Sequence, residues 1–247
     1  MSRQPLKSAV PQVRRRVCLG SMAGLAAGLG TWANSSLAAT KVAQREFPVG
    51  EFRSVRILLT CNAVLAPAGK ARVDVSAEAH VLDRIRIKVE RGVLIVDSQG
   101  SFSTQAPVQV RIAFANLDQL QAEGASQVKL NSLRATHLKL QIADSASLEA
   151  RDLDLTSVSV NAEGAGNALL AGRARKQDLS ATGSGDVLAS ALAGEQALVR
   201  AGGASTIEVA VSGQLDVTVD GSGTVRYKGR PRISRKIDDA GTLESMQ

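Results

Sequence analysis

Six acidic residues recur beside or near glycines in the second half of the sequence: Glu123, Glu163, Asp186, Asp220, Asp238 and Asp239. Solenoid lyases and hydrolases that act on polysaccharides place carboxylates on such a face, where two of them at a set separation share acid, base or nucleophile roles. Calcium-binding nonapeptide solenoids also use Asp after Gly. The repeat here is about 19 residues rather than nine, and the acids keep to no single column. A solvated face is therefore expected, since charged side chains default to the exposed side. Gly164-Ala165-Gly166-Asn167 and Gly183-Ser184-Gly185-Asp186 invite comparison with phosphate loops, but neither ends in Gly-Lys-Ser/Thr or opens a helix. Ser184 and Ser222 lack the strand-to-helix elbow of a serine nucleophile. His80 and His137 have no partner at metal-ligand spacing. Cys61 closes the apolar run Val55–Cys61 and reads as a small buried hydrophobe. Sugar stacking needs an exposed Trp or Tyr, yet Trp32 lies in the leader and Tyr227 in an inward column. No catalytic residue, cofactor or metal ligand is assigned.

These residues must be positioned by a chain of 247 residues, long enough for one substantial domain. Two His and two Cys exclude a His-built metal site, a disulfide framework and a multi-Cys zinc module. The net charge is +7, from 30 Lys+Arg against 23 Asp+Glu. Five of the positive residues (Arg3, Lys7, Arg14, Arg15 and Arg16) fall in residues 1–39, which hold no acid, so the remainder carries only about +2. A nucleic-acid partner loses its support, because it requires a basic patch on the folded domain.

Residues 1–39 read as an export signal. Arg14-Arg15-Arg16 form the charged region, Cys18 to Ala33 the apolar Gly- and Ala-rich region, and Ser36-Leu37-Ala38 or Leu37-Ala38-Ala39 the cleavage site. Arg15-Arg16-Val17-Cys18-Leu19 also fits a twin-arginine signal, so either that route or the Sec route serves. The apolar stretch is short for a membrane span, and none is expected in the mature chain.

From residue 52 the chain reads as strands with almost no helix. Val55–Thr60, Ala71–Val75, Ile85–Val89, Val93–Val96 and Val108–Phe114 are β-rich runs, many alternating in period two. From residue 120 it repeats. Inward residues Val128, Leu148, Ala168, Val187, Ile207, Val225 and Leu243 are spaced by 20, 20, 19, 20, 18 and 18. Such a period marks a solenoid, one coil per repeat.

Aligned columns define the coil. Ala122, Ile142, Ala162, Ala181, Ala201, Val219 and Ile237 form a second inward column, flanked two residues earlier by a further one that Arg235 breaks. Between the two aligned columns lie Gly124, Asp144, Gly164, Gly183, Gly203, Gly221 and Asp239, residues that tolerate positive φ. The five glycines Gly124, Gly164, Gly183, Gly203 and Gly221 are read as a structural corner, with a looser turn elsewhere in each coil. Next comes a small-residue column of Ala and Ser, and later a polar column from Gln127 to Thr242 whose side chains can bond along the stack. The fold expected is all-β: a parallel β-solenoid of about seven coils of 18–20 residues, preceded by an export signal. Residues 40–119 supply N-terminal strands and a cap, and 120–247 the regular coils.

Gly183-Ser184-Gly185-Asp186-Val187 and Gly221-Ser222-Gly223-Thr224-Val225, followed by Tyr227-Lys228-Gly229-Arg230-Pro231, carry a family resemblance. With Gly50-Glu51-Phe52-Arg53-Ser54-Val55 and Arg91-Gly92-Val93-Leu94-Ile95 upstream, the chain resembles the putative auto-transporter adhesin, head GIN domain family over about residues 45–245. The resemblance implies an elongated β-solenoid-like fold in a bacterial extracytoplasmic protein, and no known catalytic residues. Asp144-Ser145-Ala146, Gly202-Gly203-Ala204 and Asp239-Ala240-Gly241 depart from the signature while keeping residues small. The repeats run nearly to Gln247, so no C-terminal translocator barrel is expected.

The function expected is a non-catalytic one. The protein would bind or scaffold at the cell envelope through its flat stacked faces, with an envelope protein or glycan as partner, in the periplasm or else secreted or at the cell surface. The alternatives are a polysaccharide-active solenoid using corner acids such as Asp186, and a structural protein that self-assembles through its edges.

Overall fold

The computed structural model describes residues 42–238 and 240–246. The expected export signal and Asp239 of the last corner lie outside the described residues. The chain is nearly all β: β1 (Val42–Phe47), β2 (Ser54–Ile57), β3 (Asn62–Pro67), β4 (Arg72–Glu78), the short helix α1 (Ala79–Leu82), β5 (Ile85–Glu90), β6 (Val93–Ser98), β7 (Gln109–Phe114) and β8 (Gln119–Ala122). Five long bent strands follow, β9 (Gln127–Ile142), β10 (Ser147–Gly164), β11 (Asn167–Gly183), β12 (Asp186–Gly203) and β13 (Thr206–Gly221), then β14 (Thr224–Lys228), β15 (Arg232–Ile237) and β16 (Thr242–Ser245).

Strands β9 to β13 stack in parallel in chain order. β14 and β15 both lie on β13, and β16 lies on β14. The result is a β-solenoid of about six turns, one fewer than the repeat count leads one to expect. Its register is that of the inward columns. Val128, Leu148, Ala168, Val187, Ile207, Val225 and Leu243 pair in succession. Ala122, Ile142, Ala162, Ala181, Ala201, Val219 and Ile237 do the same.

Residues 52–122 continue the same stack with shorter strands. β2 pairs in parallel with β6 and β8, and β3 with β7 and β9. Three strands join antiparallel: β5 on β6, β4 on β7 and β1 on β4. Glu78 ties the 104–106 segment to this end, accepting from the Thr104 hydroxyl and from the amides of Gln105 and Ala106. Those donors hold its carboxyl below the usual range. The run expected as one strand from Val55 to Thr60 ends at Ile57. The chain turns at 58–61, and Cys61 sits buried at that turn rather than in a strand.

Within β9, β10 and β12 the alternation of inward and outward residues resets twice. In β9 both Asn131 and Ser132 are exposed, and so are Thr136 and His137. These coils therefore present three short faces, not two arms and a loose turn. The first reset is tight: Ser132, Asp152 and Gly172 stand at φ 56°, 54° and 129° in successive coils.

The core is a thin column of Leu, Val, Ile and Ala, each large aliphatic contributing about 1.5–3 kcal/mol on burial. A long polar side chain interrupts one of its columns. Gln177 occupies the column of Leu138, Val158, Ala197 and Leu215 and is buried. The ladder between β12 and β13 shifts register between Ala189 and Ala193, where coils shorten from 20 to 18 residues. Gln177 Nε2 donates to the Leu192 carbonyl (2.8 Å) within that break. It supplies the hydrogen bond that the ladder does not, because a buried carbonyl left unpaired costs about 1–3 kcal/mol.

The corner after each long strand is a point of close approach between coils. Gly124, Gly164, Gly183, Gly203 and Gly221 stand at φ 70°, 71°, 106°, 70° and 84°, and Asp144 at 60°. A Cβ on Gly183 would overlap the Gly164 carbonyl, and one on Gly203 would lie 2.6 Å from the Gly183 carbonyl. Gly183→Val is expected to destabilise the fold by about 3 kcal/mol, from backbone strain and overlap together. Ser184→Ala, at the exposed next position, is expected to stay within about 0.5 kcal/mol. Urea unfolding of both variants checks this, and comparable stability for the two would contradict the corner assignment.

Candidate functional site

The third face of the coils carries a largely polar surface. Its outward residues fall into rows by the strand register. Lys139, Ser159, Asp178, Leu198 and Asp216 form one row, and His137, Ser157, Lys176, Gln196 and Gln214 another. A third row holds Gln141, Asn161, Ser180, Arg200 and Thr218. Neighbours in a row are one strand spacing apart, about 4.8 Å. The period-two alternation puts aliphatic side chains inward and leaves these outside.

A shallow trough of about 550 Å³ runs across this face, lined among others by His137, Ser157, Ser159, Asp178, Gln196 and Gln214. Its side chains are braced along and across coils. Arg200 pairs with Asp178 at 2.7 Å, Gln214 Nε2 donates to Asp216 Oδ2 at 2.8 Å, and Gln119 Nε2 donates to Gln141 Oε1 at 2.8 Å. The floor is a ladder of amides, hydroxyls and partly neutralised charges at a constant step.

One pair in the trough resembles catalytic machinery. His137 Nδ1 and Ser157 Oγ are 2.9 Å apart, on adjacent coils. An activated serine also needs a group that orients the histidine and N–H donors for an oxyanion. No carboxylate bonds His137 among the described residues, and the Ser157 hydroxyl also reaches the Thr136 carbonyl at 3.3 Å. Both residues lie on a sheet face whose amides are engaged in the coil-to-coil ladder. The pair braces two coils. Sequence reasoning treated His137 alone and missed its neighbour, although their separation of 20 residues, one coil, carried the signal.

The corner acids sit away from the trough. The register puts Glu163 in one column with Thr182, Gly202 and Asp220. Glu123 and Asp238 continue that column, each one residue past a paired position. Glu123, Glu163, Asp220 and Asp238 thus share the position before the corner, while Ala143, Thr182 and Gly202 fill it in other coils. Asp186 belongs elsewhere, three residues past the corner Gly183, where its amide donates to Asn167 Oδ1. Glu123 pairs with Arg56 and Asp238 with Lys236, and Glu163 accepts from Asn161. Asp220 and Asp238 occupy adjacent coils, but both are exposed. Neither has the buried, apolar surroundings that keep a general acid protonated. Asp144 has a structural task, since its carboxylate accepts from the Gly124 amide one coil earlier (3.0 Å).

Among the described residues no group of three or more His, Cys, Asp or Glu is placed to hold a metal ion, and no helix is long and apolar enough to cross a membrane. His80 contacts the Ser103 carbonyl at 3.1 Å and lies 3.5 Å from Glu78 at the N-terminal end, far in the chain from His137. Burial pushes the Cys61 thiol up to about 12.

Residues 51–231 match the model of the putative auto-transporter adhesin, head GIN domain family. A comparison with curated proteins gives no match. Among solved structures, the fold is similar to that of a putative adhesin from Bacteroides fragilis (TM-score 0.80, 21% identity, covering 84% of this chain and 98% of that one). It is also similar to a putative lipid binding protein from Parabacteroides distasonis (TM-score 0.71, 17% identity, 85% and 98%) and a putative adhesin from Parabacteroides merdae (TM-score 0.64, 18% identity, 85% and 98%). At these identities the likeness is one of fold.

Two chemical tests follow from the geometry. A fluorophosphonate probe is expected to leave Ser157 unlabelled in the native protein, and labelling that disappears in Ser157→Ala would show an activated serine. With its thiol near 12, Cys61 holds only about one thiolate in ten thousand at pH 8. A disulfide reagent is expected to titrate it only after unfolding, and rapid titration of the folded protein would contradict its burial.

Proposed function

We propose, from the premise that this chain belongs to the putative auto-transporter adhesin, head GIN domain family, that it is an exported, non-catalytic binding protein of the bacterial cell envelope. Its ligand lies along the third face of the coils. The observation that carries this reading is the ladder itself: polar side chains repeat from His137 to Gln214 at the strand spacing, over an open trough. A constant step of donors and acceptors suits a polymer that repeats its own polar groups, such as an envelope glycan. Affinity then accumulates over several coils instead of in one pocket. The charge-bearing export signal read over residues 1–39 supports an extracytoplasmic site of action.

A second reading is favoured by one observation, the adjacent corner carboxylates Asp220 and Asp238. It makes the protein a glycan-cleaving solenoid with its chemistry at the corner. The two readings separate experimentally. The protein is mixed with isolated envelope polysaccharide, and both bound protein and released reducing ends are measured. Binding without release is expected. Ser159→Arg combined with Gln196→Arg is expected to weaken binding at least tenfold, about 1.4 kcal/mol, with unchanged thermal stability. Sugar release that is lost in Asp220→Asn would establish the enzyme reading, and full binding by the arginine variant would remove the trough from the account.

A further inference from the structure

The two ends of the stack differ. At the N-terminal end the antiparallel strands β1, β4 and β5 and helix α1 accompany the first coils, and the inward residues there, such as Val55, Val75, Val81, Leu94 and Val96, are fully buried. At the other end β15 pairs only with β13, and β16 only with β14. Each keeps one edge of backbone amides and carbonyls without a strand partner among the described residues. The core is correspondingly open. Ile233 is 41% exposed, and Tyr227, Ile237 and Leu243 are only half-buried. An exposed edge over an open apolar core is a template for strand addition.

Charge decides what can be added. Lys228, Arg230, Arg232, Arg235 and Lys236 fall within nine residues that contain no acid. Lys236 pairs with Asp238, and Arg226 just before them pairs with Glu244. Lys228, Arg230, Arg232 and Arg235 have no ion-pair partner among the described residues. Arg235 stands in an inward column, between Ile233 and Ile237. A second copy joined tail to tail would bring these cations face to face, and one joined head to tail would meet the covered end. The sequence of residues 1–39, with five cations and no acid, is repelled as well. Cations along an edge are a known guard against self-pairing. The same cations attract a strand of opposite charge.

We propose that the β15–β16 end of the solenoid accepts an extended acidic polypeptide strand, which pairs along the free edge of β15, covers Ile233 and Ile237 with apolar side chains on one face and sets carboxylates against Arg232 and Lys236 on the other. The partner is thus a protein segment that alternates acidic and apolar residues. It extends the sheet by one rung and completes the last coil.

The test uses the full chain and three labelled ten-residue peptides: alternating Glu and Val, alternating Lys and Val, and the Glu peptide with two central Val replaced by Pro. Fluorescence anisotropy reads the affinities. The Glu–Val peptide is expected to bind at least tenfold more tightly than the other two, because the Lys peptide lacks the charge match and the Pro peptide lacks ladder amides. Arg232→Glu combined with Lys236→Glu, the two cations on the carboxylate face, is expected to weaken it at least tenfold. The milder Arg232→Gln, with a far-ultraviolet spectrum like the parent protein's, is expected to weaken it less. Equal binding of the Glu–Val and Pro-containing peptides would reduce the effect to charge alone and overturn strand addition. Absence of any preference for acid over base would overturn the proposal as a whole.

Discussion

Corner amides tie successive coils together. The residue after each corner donates its N–H to the corner carbonyl one coil earlier: Ser145 to Gly124, Ala165 to Asp144, Ser184 to Gly164, Ala204 to Gly183 and Ser222 to Gly203, at 2.7–3.0 Å. For that ladder to close, the corner backbone must enter positive φ and the coils must approach to strand spacing. Both demands remove side chains. The position two residues past the corner shows the second demand: Ser126, Ala146, Gly166, Gly185, Ser205, Gly223 and Gly241 face inward where chains meet. Ser126 and Ser205 carry hydroxyls there and satisfy them on the carbonyls of Glu123 and Ala181.

Once corners are locked, the rest of the coil has little freedom. A side chain that points inward must fit between the same positions of the coils above and below it. The core is accordingly built of aliphatic residues of modest size, and the few rings that are fully or largely buried, Phe52 and Phe114, lie in the N-terminal region where the strands are irregular. Gln177 shows what happens when the stack changes length. Two residues are lost between coils, a carbonyl is stranded at Leu192, and a long polar side chain from the coil below reaches it. Gly194 leaves room for that amide, since a Cβ there would overlap it. Polar burial here is the cost of an uneven repeat.

Periodic features were legible in the sequence and local ones were not. The inward columns from Val128 to Leu243 and from Ala122 to Ile237 give the strand register directly, because a parallel solenoid pairs each residue with its equivalent one repeat away. The second tight turn escaped notice because Ser132 and Asp152 carry its positive φ without glycine. Non-glycine residues in that region leave no compositional mark. The antiparallel strands β1, β4 and β5 obey no repeat, so their alternation could show strands but not partners. The trough was legible only as polar columns. Its His137–Ser157 contact needed the register and the rotamers together.

Repetition also bears on what such a molecule can do. Catalysis by paired titrating groups requires neighbours with different surroundings, one kept protonated and the other ionised. A solenoid face places equivalent positions in nearly equivalent surroundings, as the exposed corner carboxylates of Asp220 and Asp238 illustrate. Binding has the opposite requirement. A long ligand gains from each added coil that presents the same group at the same step. Two departures from equivalence matter here, the register break around Gln177 and Gly194 and the basic terminal coil at Arg232 and Arg235. At the break the departure is absorbed inside the core. At the terminal coil it faces outward with unpaired backbone beside it, and there the fold itself sets a position apart from its neighbours.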